Sequence, residues 1–280
     1  MNTSGTTSMT ENPDSVPWDR VVIPVARKAG KILLTIFQSD PTSPGLRRAV
    51  EGPNSADQRS SRLIVRELRK ATPEIPAISE EAPPQAYDDR RKWHVVWLID
   101  PLDGTKEFVA GRREFTVNLA LVLDGKPVAG VVHAPALGET YFGQRGQGSV
   151  RISGRDTRQV IHTCSIGSTR VPRVVTSRSH LDDHTRTFLS SVGPHRVKRY
   201  GSALKFCRVA EGSADVYPRF GPTMEWDTAA GEVVLESAGG ILRDLTGQPL
   251  RYNKEALTNP AFVAAGDPTW LDARGRLIDG

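Results

Sequence analysis

Two apolar runs, Phe115 to Leu123 and Pro127 to Ala134, flank an Asp124-Gly125 turn. This pattern constrains the fold more than any other stretch, because Asp-Gly supplies the positive φ that a tight antiparallel hairpin needs. Trp93 to Ile99 reads as a long strand, Ile75 to Ile78 as a short one, and Glu139 to Gly143 as an extension of the hairpin. Before them, Val21, Val22, Val25, Ala26, Ala29, Ile32, Leu33 and Ile36 recur at helical spacing. A loop from Ser39 to Pro53 follows. Ser55 with Gln58 predicts a capping box for a second helix that carries Leu63, Ile64 and Leu68 on one face.

The second half alternates: strand Val174 to Thr176, helix Leu181 to Val192, strand Val197 to Tyr200, helix Ser202 to Glu211, strand Ala214 to Tyr217. A helix from Thr228 to Ala238 stops at Gly239-Gly240, and Ile241 to Asp244 and Ala261 to Ala264 close the sheet. Such mixing predicts a layered α+β architecture. The expected organisation is a disordered tail over 1–15, an N-terminal α+β lobe over 16–150 and a C-terminal α/β lobe over 151–280.

Composition excludes several classes. With 37 Lys plus Arg against 32 Asp plus Glu, the net charge is +5. No basic run interleaves with aromatics, so a pocket for a small polyanion explains the surplus as well as nucleic acid does. The longest apolar candidate, Val117 to Leu123, contains Asn118 and is far too short to span a bilayer. Two cysteines, Cys164 and Cys207, make neither a disulfide framework nor a cysteine-based zinc site. Met1 to Ser15 lacks the basic and apolar regions of a signal peptide. The expected compartment is cytoplasmic, with peripheral attachment to the inner face of the membrane left open.

The acids carry the chemical argument. In Ile99-Asp100-Pro101-Leu102-Asp103-Gly104-Thr105 an apolar strand delivers Asp100 at its end, and Pro101 is expected to turn the chain out of the sheet. Asp100, Asp103 and the Leu102 carbonyl can then meet in an oxygen-only cage suited to hard divalent cations. The amides after Gly104 can face an anion as a helix begins. A strand-ending turn capped by two aspartates is the plain alternative. The company of Ser79-Glu80-Glu81 after a short strand, Asp57 at a helix start and Asp227 at another favours a shared metal centre.

Ser79-Glu80-Glu81, Asp100 to Thr105 and Trp226-Asp227-Thr228-Ala229-Ala230-Gly231 resemble, in order and spacing, the signature motifs of the inositol monophosphatase superfamily. The resemblance covers the chain from about Asp19 onward. It implies an αβαβα sandwich and a Mg²⁺-dependent, lithium-sensitive phosphatase using two or three ions. Glu80, Asp100, the Leu102 carbonyl, Asp103 and Asp227 would be metal ligands, and Asp57 with Thr105 would hold and deprotonate the attacking water. One departure stands out: the family's Ser-Pro-Val-Thr-x-Ala-Asp run is replaced by Gly52-Pro53-Asn54-Ser55-Ala56-Asp57.

Ser177-Arg178-Ser179-His180, Gly201 to Phe206 and Tyr217 to Thr223 resemble the branch of 3'(2'),5'-bisphosphate nucleotidases. That branch removes the 3'-phosphate of adenosine 3',5'-bisphosphate in sulfur assimilation, giving AMP and phosphate. Besides Glu80, Leu102, Asp103, Gly104, Thr105 and Asp227, the resemblance places Ser177, His180, Ser202, Lys205 and Arg219 against the nucleotide. If Arg178, His180, Lys205 and Arg219 converge, they suit a second, uncut phosphate. Trp93, Trp97 and Trp226 are read as packing residues. The expected partner is a small bisphosphate nucleotide, with no nucleic acid or integral membrane contact, and a monomer or homodimer. The competing readings are an inositol or sugar phosphatase and a non-catalytic nucleotide or metal binder.

Overall fold

A computed structural model describes residues 16–39, 55–154, 156–166, 171–178 and 182–269. The tail expected over 1–15, the departing stretch before Ser55, and His180 lie outside the described residues. The N-terminal half contains α1 (Asp19–Ser39), α2 (Ala56–Ala71), β1 (Ala77–Ser79), α3 (Tyr87–Arg90), β2 (Val95–Asp103) and α4 (Thr105–Val109). Strands β3 (Thr116–Leu123), β4 (Lys126–Ala134), β5 (Glu139–Gln144), β6 (Gly148–Ser153) and β7 (Thr157–Ile161) follow. The second half runs β8 (Arg173–Ser177), α5 (Asp183–Val192), β9 (Arg196–Tyr200), α6 (Leu204–Ala210), β10 (Val216–Arg219), β11 (Thr223–Met224) and α7 (Glu225–Ser237). Strands β12 (Ile241–Asp244), β13 (Thr258–Asn259) and β14 (Phe262–Ala265) complete it.

Strands β1 to β7 form one sheet in sequence order, as the hairpin predicts, and β12-β14-β10-β8-β9 form a second. Residues of β2 explain the layering, since successive side chains point to opposite faces. Val95, Trp97 and Ile99 pack with Trp18, Val22, Ile64 and Leu68 of the α1–α2 layer. Val96 and Leu98 pack instead with Ala230 and Val234 of α7, Phe206 of α6 and Phe262 of the second sheet. Beyond that sheet, Phe188 and Val192 of α5 meet Val216 and Val263. The order is helix, sheet, helix, sheet, helix, so β2 is buried on both faces and reads as an unbroken apolar run.

Close approach of α7 to the first sheet depends on a missing side chain. A Cβ at Gly143 would lie 2.6 Å from the Val234 Cα and 2.7 Å from the Val233 carbonyl oxygen. Trp97 is fully buried edge-on to Trp18, with centroids 5.6 Å apart, and donates to Thr72 Oγ1. Trp93 and Trp226 pack against the central core.

Several boundaries differ from expectation. Position 150 falls inside β6, which pairs with β5 and β7, so the chain stays in the first sheet until Ile161. Helix α7 begins at Glu225 and not at Thr228, because the Asp227 carboxylate accepts from Met224 N at 2.8 Å and caps its own first turn. No capping box forms at Ser55; the Gln58 side chain reaches Glu81 instead, donating to its carbonyl at 3.3 Å and to its Oε2. Among the described residues, no helix is long and apolar enough to cross a membrane.

Candidate functional site

The parallel pairing of β1 with β2 brings two carboxyl ends together. Ser79 stands opposite Ile99, and Glu80 N donates to the Ile99 carbonyl at 3.1 Å. Glu80 and Asp100 therefore leave neighbouring strands at the same level, and the Glu80 charge acts directly on Asp100.

Pro101 does not end β2. The strand runs on to Asp103 through a bulge: Asp100 pairs with Asn118, and Asp103 pairs with Thr116. Three steps on one strand match two on the other, so one residue is extra. Residues three apart in a regular strand point to opposite faces, and the extra residue cancels that alternation. Proline is tolerated here because a bulge residue owes the ladder no N–H. Gly104 then turns with φ +86°, where an added Cβ would lie 3.1 Å from the Glu114 carbonyl oxygen. The Thr105 hydroxyl donates back to the Leu102 carbonyl at 3.2 Å.

Each aspartate has one oxygen held by the protein. Asp100 Oδ1 accepts from Leu102 N at 3.1 Å, and Asp227 Oδ2 accepts from Met224 N. Asp103 Oδ2 accepts from Ala203 N at 2.6 Å, Asn118 Nδ2 at 3.1 Å and Thr116 Oγ1 at 3.4 Å. Such anchoring fixes each carboxylate and directs its other oxygen.

The electrostatics match a cation site. Burial first, then the negative charge of Asp227, pushes Glu80 up to about 7. Burial, then Asp103, pushes Asp227 up to about 7. Asp100 is driven well above the carboxylate range by burial, with Asp103, Glu80 and Asp227 adding to it. Asp103 is also raised by burial, although Lys205 opposes the rise. Among the described residues, no three His, Cys, Asp or Glu side chains stand together so that they could hold a metal ion as they are placed. The donors are all hard carboxylate or carbonyl oxygens in one shared repulsive field, and that chemistry fits a divalent cation better than any neutral ligand.

A cleft of about 210 Å³ opens beside these acids. Asp103, Gly104, Thr105 and Asp227 are among the residues that line it, as are Ser177, Ser202, Lys205 and Arg219. Lys205 is buried, lowered to about 8 by loss of solvent, and its Nζ donates to the Ser202 carbonyl while lying 5.2 Å from the Tyr217 ring centroid. Arg219 donates to the carbonyls of Gly221 at 3.2 Å and Pro222 at 3.1 Å, which aims its guanidinium. Glu80, Asp100 and Leu102 do not line this cleft, although the charges of Asp103 and Asp227, which do, act on both Glu80 and Asp100.

The expected convergence of cations is only partly met. Arg178 forms a two-pronged ion pair with Glu114, at 2.9 Å to Oε1, so its charge is matched on the surface. Asp57 lies in the first turn of α2, where its Oδ1 accepts from Gln58 N at 2.9 Å and its charge acts on the Glu81 carboxyl. Burial and then Asp57 raise Glu81.

Sequence reasoning missed Asn118, Ala203, Glu81 and Tyr217. Asn118 carried a readable signal, as the one amide in the apolar run of β3. The Ala203 amide carried none, because a backbone donor looks the same at every position.

The sequence profile of the inositol monophosphatase family matches residues 14–274. The chain is 42% identical over 243 residues to the 3'(2'),5'-bisphosphate nucleotidase CysQ of Salmonella typhimurium, covering 86% of this chain and 96% of that protein. The crystal structure of CysQ from Bacteroides thetaiotaomicron, a bacterial member of the inositol monophosphatase family, superposes with a TM-score of 0.79 at 39% identity. It covers 88% of this chain and 96% of its own. An inositol monophosphatase from Anabaena superposes with a TM-score of 0.72 at 25% identity, covering 93% and 94%.

Proposed function

The chain belongs to the inositol monophosphatase family, and from that premise we propose that it hydrolyses the 3'-phosphate of adenosine 3',5'-bisphosphate to AMP and phosphate. Enzymes of this family are metal-dependent phosphatases. The observation that carries the reading is the cleft itself: carboxylates Asp103 and Asp227 line it together with Lys205 and Arg219. A monophosphate substrate needs only the acidic part. A bisphosphate also presents an uncut anion, for which a buried lysine and an aimed arginine are suited.

Glu80, Asp100, the Leu102 carbonyl, Asp103 and Asp227 would hold Mg²⁺. When bound, paired cations neutralise charge on the phosphoryl oxygens and acidify water, which a slow phosphomonoester hydrolysis requires. The Thr105 hydroxyl already donates to Leu102 O, so its lone pairs are free to accept from a water and orient it. Asp57 is the proton acceptor in this reading, and the Gln58 backbone amide orients it by donating to Oδ1 at 2.9 Å. Water oxygen joins phosphorus, the bond to the 3'-oxygen breaks, and that oxygen takes up a proton. The Gly104–Thr105 turn offers backbone N–H groups to the reacting phosphate. Ser177, Ser202, Lys205 and Arg219 bind the rest of the nucleotide, and lithium competes with Mg²⁺ among the acids.

Purified protein assayed with Mg²⁺ on adenosine 3',5'-bisphosphate and inositol 1-phosphate, at equal concentration, tests this. The expected outcome is a kcat/KM at least tenfold higher for the bisphosphate. Preference for the inositol ester would overturn the substrate reading and leave the family intact.

A further inference from the structure

The acids assigned to the metal come from distant parts of the chain, and a second set of buried contacts joins the loops that carry them. Helix α3 follows directly on the loop that begins at Glu80, and it ends at Arg90, which is 3% exposed. The Arg90 guanidinium donates to Gln85 O at 2.8 Å, Asn253 Oδ1 at 2.9 Å, Lys254 O at 3.1 Å and Glu255 O at 3.2 Å. Asn253 Nδ2 answers with a 2.7 Å bond to the Arg90 carbonyl.

The other side of the same strap grips α7. Glu225, fully buried and two residues before Asp227, accepts from Asn253 N at 2.6 Å, Lys254 N at 3.1 Å and Lys254 Nζ at 2.5 Å. Further along, Asn259 Nδ2 donates to Met224 O at 2.8 Å and Thr228 Oγ1 at 2.9 Å. Residues 253–255 are thus clamped between an arginine tied to the Glu80 loop and a glutamate that opens the Asp227 helix.

We propose that Arg90 and Glu225 are positioning residues whose shared strap sets the separation of Glu80 from Asp227, and through it the affinity for the divalent cation. The inference rests on the reading of Glu80 and Asp227 as metal ligands. A planar guanidinium can serve four acceptors in fixed directions, which an ammonium cannot. A group bonded directly to a metal ligand typically changes metal affinity by ten- to a hundredfold, and a strap one step further out belongs at the lower end of that range.

Mg²⁺ binding to the full-length, metal-stripped protein, measured by calorimetry, tests it with Arg90→Lys and Asn253→Ala. The expected result is a Kd about tenfold weaker in each, with kcat at saturating Mg²⁺ within about twofold of the wild type. Arg173→Lys serves as the comparison, since Arg173 pairs with buried Asp215 and touches neither ligand loop. It should lower the melting temperature and leave the Kd unchanged. Wild-type affinity in folded Arg90→Lys and Asn253→Ala would overturn the proposal, as would an equal weakening by Arg173→Lys. Asn253→Ala decides the matter if Arg90→Lys does not fold. Wild-type Mg²⁺ affinity in Glu80→Gln and Asp227→Asn would instead reject the ligand reading beneath it.

Discussion

Asp100 shows the conflict that function imposes on single residues. It is 1% exposed, with its pKa driven up by burial and by Asp103, Glu80 and Asp227. A buried charge among like charges costs stability unless something pairs with it. Asp100→Asn is therefore expected to abolish turnover, by at least a thousandfold in kcat. It should also raise the melting temperature of the metal-stripped protein by about 2–4 °C, the shift that ~1 kcal/mol produces in a domain of this size. Steady-state kinetics with parallel thermal melts would check both; an unchanged or lower melting temperature would count against the electrostatic account. Lys205 separates binding from chemistry. Lys205→Ala should cost about tenfold in kcat/KM on the bisphosphate nucleotide and much less on a monophosphate ester. Equal losses on both would place Lys205 with the metal site and not with the uncut phosphate.

At the scale of elements, three devices assemble the acids: a parallel strand pair, a bulge and a helix laid close on a sheet. Parallel pairing of β1 and β2 aligns Glu80 with Asp100, the bulge re-aims Asp103, and α7 delivers Asp227. The third device is open to a single substitution. Gly143→Ala would set a methyl 2.6 Å from the Val234 backbone, too close for either element to keep its place. The expected cost is about 1–3 kcal/mol in denaturant unfolding, with a loss of activity because α7 also carries Asp227. Retained stability and activity would show that α7 is free to move outward. These devices also mark how far the sequence could be read. The hairpin, the helices and the acidic motifs were legible, because periodicity, Asp-Gly and carboxylates are local signals. The bulge at Pro101 was not, since proline in a strand reads as an exit unless the partner strand is known.

For the molecule as a whole, pH reports on the packing of the outer helix layer. His133 on β4 is buried, its Nδ1 hydrogen-bonds Thr140 Oγ1 at 2.9 Å, and burial lowers its pKa to about 4. The unfolded chain binds its proton near 6.5, so between those values the unfolded state holds more protons and stability falls as pH falls. The loss begins near pH 6.5 and is complete below about 4, amounting to about 3 kcal/mol. In equilibrium denaturation at pH 7.5 and 4.5, His133→Asn should lose less stability between the two than the wild type. Equal pH slopes in the two proteins would remove His133 as the cause.

Sequence alone determined most of the long elements and which chemical groups the chain owns, while β6, β7, β11, β13 and α3 carried no periodic signal. Hydrophobic period and turn residues act over a few positions, and a carboxylate keeps its chemistry wherever it lies. Only the tertiary structure decided which of those groups act together. It joined Asp103 to the Ala203 amide and Arg90 to the strap at 253–255, and it drew Arg178 aside to Glu114. Contacts between residues sixty or more positions apart depend on layer order and strand register, which no local pattern encodes.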